Sequence, residues 1–153
     1  MDVYARMKDL GITLPEPPAK AGLYAQAKEF GPNLVYISGC GPAVEGQTPL
    51  GKLGADLTLE QGYNCARNAM LNVLAVLEKH IGDLNRVKNV AKILVFVASA
   101  DDFYQQPQVA NGASQVLIDV FGEEVGIPSR SAVGTNALPG NIPVEVEALF
   151  ELK

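Results

Sequence analysis

The chain has little of what several kinds of protein depend on. Its 153 residues include two cysteines, Cys40 and Cys65, and one histidine, His80. That spacing gives neither a disulfide framework nor a metal-ligand pattern, and one histidine makes a zinc site hard to assemble. No metal and no cofactor is therefore expected. No apolar run approaches the ~20 residues of a membrane span. The N-terminus, Met1-Asp-Val-Tyr-Ala-Arg-Met-Lys, lacks the apolar stretch of a secretion signal. A cytoplasmic address is the expectation. Basic clusters are missing as well: the net charge is −5 and the pI ≈ 4.8, which argues against a protein that tracks phosphate backbones.

What is present is an ordinary globular composition, 48% hydrophobic and 19% charged, in a length that suits one domain with a real core. Residues 1–20 read as an arm over a single domain of residues 21–153. In the arm, Val3, Tyr4, Met7 and Leu10 recur at helical spacing until Gly11. The prolines of Leu14-Pro-Glu-Pro-Pro-Ala-Lys then exclude both helix and central strand.

Leu23–Phe30 and Leu34–Ser38 read as a hairpin about Gly31-Pro-Asn33. The second strand stops at Gly39-Cys-Gly-Pro42, where two glycines either make a turn or let backbone N–H groups approach a ligand. Thr58-Leu-Glu-Gln61 matches a capping box, and a core stripe (Ala66, Ala69, Met70, Val73, Leu74, Leu77, Ile81) predicts a helix up to Gly82. Gln61, Asn64, Asn68 and Asn72 fall on another face, read as polar surface or a subunit contact. His80 lies in the last turn, where it complements the helix C-terminus. Cys65 reads as a small core residue. Val87–Ala98 is a strand that becomes continuously apolar. Asp101 and Asp102 read as caps for a second helix, Pro107–Phe121, stopped by Gly122.

Near the C-terminus, Val144, Val146, Ala148, Phe150 and Leu152 alternate with Glu145, Glu147, Leu149 and Glu151, the pattern of a strand with one apolar face. Leu138-Pro-Gly-Asn-Ile-Pro143 supplies a turn from a preceding strand that carries Arg130. Arg130 shares its phase with Ala132, Gly134 and Asn136, side chains too short to fill the space beside it. Either it pairs with one of the glutamates or it is free to hold a ligand. The element order makes an α+β protein with a mixed sheet and two helices on one face. The other face needs a cover, which a second copy can provide.

Several of these segments resemble the RidA/YjgF family of trimeric enamine/imine deaminases, also labelled endoribonuclease L-PSP. They are Tyr24-Ala-Gln26, Leu34-Val-Tyr-Ile-Ser-Gly39, Gly82-Asp-Leu-Asn-Arg-Val87, Phe96-Val97 before Asp102-Phe103, Arg130-Ser131 and Pro143-Val-Glu-Val-Glu-Ala148. The likeness covers residues 20–153 and is nearest to a longer subgroup with an N-terminal extension such as Leu10–Pro17. It implies a chorismate-mutase-like fold, a trimer with clefts between subunits, and hydrolysis of 2-enamino or 2-imino acids to 2-keto acids and ammonia. By the same resemblance Arg130 holds the substrate carboxylate, Glu145 positions water, Tyr24 lies near the imine, and Ser38 and Gly39 offer backbone contacts. Cys40 stands where the family often has Gln, and Ala132 where it often has Cys. Asn111 takes the place of the family's asparagine only with a local shift. The alternatives are a non-catalytic binder of keto acids or other carboxylates in the same clefts, and a ribonuclease, against which the acidic charge counts.

Geometry adds an expectation. If the last two strands pair about the turn, Glu145 lies roughly 17 Å from the position facing Arg130, at ~3.4 Å per residue. One hairpin then cannot bring both to one small substrate. Either the strands are not neighbours, or the site joins Arg130 of one copy to Glu145 of the next; the second is favoured.

Overall fold

The computed structural model describes residues 1–153. Two long helices lie against one face of a five-stranded sheet whose order is β1-β2-β5-β3-β4. The strands are β1 (Ala27–Phe30), β2 (Leu34–Cys40), β3 (Val87–Ala98), β4 (Ser129–Thr135) and β5 (Val144–Leu152). The helices are α1 (Val3–Asp9), α2 (Leu59–Ile81) and α3 (Gln106–Gly126). Every strand pair is antiparallel except β3 with β4. The α+β class and the mixed sheet expected from the sequence are borne out.

The helix boundaries follow from local chemistry. The Thr58 hydroxyl accepts from the Gln61 N–H and the Gln61 side chain accepts from the Thr58 N–H, which satisfies two donors at the start of α2. Gly82 ends it at φ 84°, a conformation that glycine adopts without strain. The core stripe of α2 is buried as read. In α3, Gly122 breaks the helical path at φ 80°, and one further turn follows. Asp101 and Asp102 do not cap this helix; Gln105 holds the N-cap position without a side-chain bond. Gly112 lets α3 press on α2, because a Cβ there would collide with the Tyr63 carbonyl oxygen.

The last two strands are not a hairpin. The reason is topological. β3 leads through α3 into β4, and such a crossover sets β4 parallel beside β3. Strand β5 then runs back between β2 and β3, paired on both sides. Its inward set (Val144, Val146, Ala148, Phe150, Leu152) is buried throughout, as a central strand requires, whereas β4, with its short side chains, takes the edge. The first strand also starts later than read, at Ala27, so Tyr24 lies in the loop before it.

Residues at the N-terminus are tied to the domain. Val3, Met7 and Ile12 join the common core. The Val3 N–H donates to Asn85 Oδ1, the Tyr4 hydroxyl accepts from the Leu84 N–H, and Arg6 donates to the Asp119 and Ile118 carbonyls. No helix is long and apolar enough to cross a membrane.

Candidate active site

The faces of the sheet decide which of the expected residues meet. Arg130 registers with Ile93 of β3, and Ile93 points into the core under the helices. Its guanidinium therefore rises beside α3, where Nη1 donates to Asn111 Oδ1 at 2.8 Å and to Ser114 Oγ at 3.2 Å. Ala132, two residues on, packs against the core on the same side. No carboxylate pairs with Arg130: the ion pairs are His80 with Glu29 and Lys88 with Glu151. The pairing of Arg130 with a glutamate at the sheet edge, left open by the sequence, is thereby excluded within the protomer. Asn111 reaches the arginine from α3.

Glu145 belongs to the other face. It registers with Phe96, in the phase opposite to the buried residues of β5. Arg130 and Glu145 are thus two strands apart and three residues apart along β3, about 14 Å at the usual spacings, with side chains on opposite sides of the sheet. One protomer does not bring them together.

Tyr24, Ser38, Gly39 and Cys40 are brought to Glu145, around a pocket of ≈ 540 Å³. A bulge creates its floor: between Ile37 and Cys40 strand β2 has one residue more than β5 opposite it. Gly39 sits in that bulge directly under Glu145, and a Cβ there would collide with the carboxylate. Burial, with the charge of Glu147 adding to it, pushes the Glu145 carboxyl above its ordinary value. Cys40 is buried, and burial followed by the nearby Glu145 pushes its thiol up to about 12. It is a poor nucleophile at neutral pH.

Three parts of this arrangement were not legible beforehand. Ser114 is the second partner of Arg130; its spacing of three from Asn111, on one helix face, is the signal that was available. Pro18, Ala19 and Ala21 line the Glu145 pocket from the N-terminal segment, and Pro139 and Ile142 line it from the loop before β5. Asn72, read as part of a polar surface, is only 2% exposed and donates to the carbonyls of Gly41 and Ala43, which fixes the loop beyond the bulge. His80 takes no part; its ring meets Glu29.

The fold defines a class, and the chain belongs to it: residues 4–152 match the family described as "YjgF/chorismate mutase-like, putative endoribonuclease". The resemblance to RidA/YjgF proteins is borne out over almost the whole chain. Among its relatives is protein TCP17 of Trypanosoma cruzi, 44% identical over 98% of this chain and 94% of that protein. The 2-iminobutanoate/2-iminopropanoate deaminase of Dermatophagoides farinae is 28% identical over 93% of this chain and 95% of its own length. A crystal structure of a protein of unknown function from Agrobacterium tumefaciens superposes with a TM-score of 0.90 at 35% identity, covering 99% of this chain and 92% of that one.

Proposed function

We propose that the protein hydrolyses 2-imino acids, and their enamine tautomers, to 2-keto acids and ammonia, in a site completed between copies of the chain. The observation that carries this reading is the division described above. A guanidinium with no carboxylate partner is held ready on one face, and a carboxylate stands in a pocket on the other. Each half lacks what the other has.

The chemistry matches the two halves. Arg130 is suited to a carboxylate because its planar fork offers two parallel charge-assisted bonds, each worth roughly 1.5–3 kcal/mol. Asn111 and Ser114 engage Nη1 alone. Glu145 of the neighbouring copy orients a water against the C=N carbon and takes its proton. As the C–O bond forms, the nitrogen is protonated; the C–N bond of the carbinolamine then breaks, ammonia leaves and a carbonyl remains. Tyr24 lies at the same pocket, where its hydroxyl hydrogen-bonds the nitrogen. Orientation supplies the rate, so no metal or organic cofactor is needed.

The assembly is a homotrimer, which covers the open face of the sheet. There Leu94, Phe96 and Leu149 are only half-buried in the protomer. The same face carries Glu145, Glu147 and Glu151, which repel phosphate and weigh against an RNA substrate.

Complementation tests the reading. Arg130→Ala and Glu145→Gln proteins should each be inactive in ammonia release from an imino acid. Mixed, dissociated and reassembled in equal amounts, they should recover about a quarter of wild-type activity, because a quarter of the interfaces pair an intact Arg130 with an intact Glu145. A mixture as inactive as its components would overturn the shared site. Unchanged turnover in Glu145→Gln alone would remove that residue from the chemistry, and a wild-type protein that binds a keto acid without releasing ammonia from any imine would be a carboxylate-binding protein.

A further inference from the structure

A guanidinium has five N–H donors in a fixed plane, and at Arg130 the protomer has already used some of them. Nη1 carries two, and it meets two acceptors: Asn111 Oδ1 at 2.8 Å and Ser114 Oγ at 3.2 Å. Nε and Nη2 have no partner in the chain. A carboxylate is gripped along one edge of the plane, either by Nη1 with Nη2 or by Nε with Nη2. With Nη1 occupied, the Nε–Nη2 edge is the one that remains. The two edges face directions about 120° apart in a trigonal group. Which of them is free therefore decides where the carbon behind the carboxylate points.

Asn111 alone does not impose this choice, since it engages one N–H of Nη1 and leaves the other for an incoming oxygen. Ser114 closes that possibility. It stands one turn along α3 on the same helix face, half-buried beside the core residues Ala113 and Leu117. A serine inside a helix usually returns its hydroxyl to a carbonyl one turn back or turns it to water; here the oxygen lies on the guanidinium. We infer that Ser114 is a positioning residue: by occupying the second N–H of Nη1 it makes Arg130 take the substrate carboxylate side-on, through Nε and Nη2, and so fixes the direction in which the imine carbon is presented. The inference deepens the carboxylate-holding role proposed above for Arg130 and rests on it. Ser114 touches no reacting atom. Without its oxygen the end-on edge competes, and the carboxylate is still held by the same charge but in two orientations, one of them misdirected. What falls is alignment rather than affinity.

Kinetics and nitrogen NMR test this together. Ser114→Ala replaces serine with the better helix former, so folding is retained. Its kcat for ammonia release from an imino acid should fall about ten-fold, while KM moves much less. Ser114→Thr keeps the hydroxyl and should restore kcat; a threonine variant as slow as the alanine variant would assign the loss to packing and count against the role. In isotope-labelled wild type, the Arg130 Nε–H signal, assigned by its loss in Arg130→Lys, should move downfield as pyruvate is added. In Ser114→Ala the movement at saturation should be smaller. An Nε–H unmoved by saturating pyruvate, or an unchanged kcat in Ser114→Ala, overturns the inference. If no imine is turned over at all, the function proposed above is what fails, and the Nε–H signal in wild type and Ser114→Ala decides this point separately.

Discussion

A carboxylate half-buried next to another carboxylate keeps its proton to higher pH than one in water, and Glu145 is placed in that way. As the base it must be ionised, so the acid limb of kcat/KM for imine hydrolysis should lie above the ordinary carboxylate range. Glu147→Gln removes the smaller of the two causes. A pH–rate profile of that variant should show the limb moved down, though not fully back, because burial is the larger cause. The same shift has a consequence for stability. With its folded-state value raised, Glu145 contributes most below its unfolded value, and that contribution is lost as pH rises through the folded value. Above that window Glu145→Gln should be more stable than wild type, seen as a higher urea midpoint at pH 7.5 and little change at pH 4. An unchanged midpoint at pH 7.5 would mean that the carboxylate is not strained by its surroundings.

At the scale of elements, the site depends on how strand ends are held. The bulge at Ser38–Gly39 brings the end of β2 under Glu145, and the loop after it is tied to α2 by Asn72 at 2.9 and 2.8 Å. Asn72→Ala leaves two carbonyls without their partner, a loss of about 1–3 kcal/mol. Denaturant unfolding should show that loss. Since the loop includes Gly41 of the pocket wall, KM should rise more than kcat falls. Equal wild-type kinetics with reduced stability would assign Asn72 to packing alone. The helix periodicities, the capping box and the Gly82 stop could be read directly, because each is settled by residues within one turn of each other, whereas Gly122 kinks α3 and does not end it. Asn72 could not: its spacing places it with Asn64 and Asn68, and only the path of a loop some thirty residues away shows why it is buried.

For the whole molecule, the open face of the sheet is the feature that a single chain leaves incomplete. Leu149 stands in the middle of it, between Tyr36 of β2 and Lys92 of β3. Leu149→Arg should place a charge in the proposed subunit contact and yield monomers. Sedimentation should show the smaller species, circular dichroism an unchanged fold, and the ammonia assay a loss of about a hundred-fold or more, as the proposed division of Arg130 and Glu145 between copies requires. A folded monomer with full activity would remove the need for a partner.

By itself the sequence determined the α+β class, the two long helices, the alternation that buries one face of β5, and Arg130 as a cation set among short side chains. These follow from local periodicity and from residue chemistry, whereas Glu145 is singled out by the family resemblance. Only the tertiary structure decided that β5 lies between β2 and β3, that Tyr24 belongs to a loop, and that Arg130 and Glu145 face opposite sides of one sheet. Strand order is set by the handedness of the β3–α3–β4 crossover and by which strand can be buried on both edges, and neither is written in the turn that joins β4 to β5.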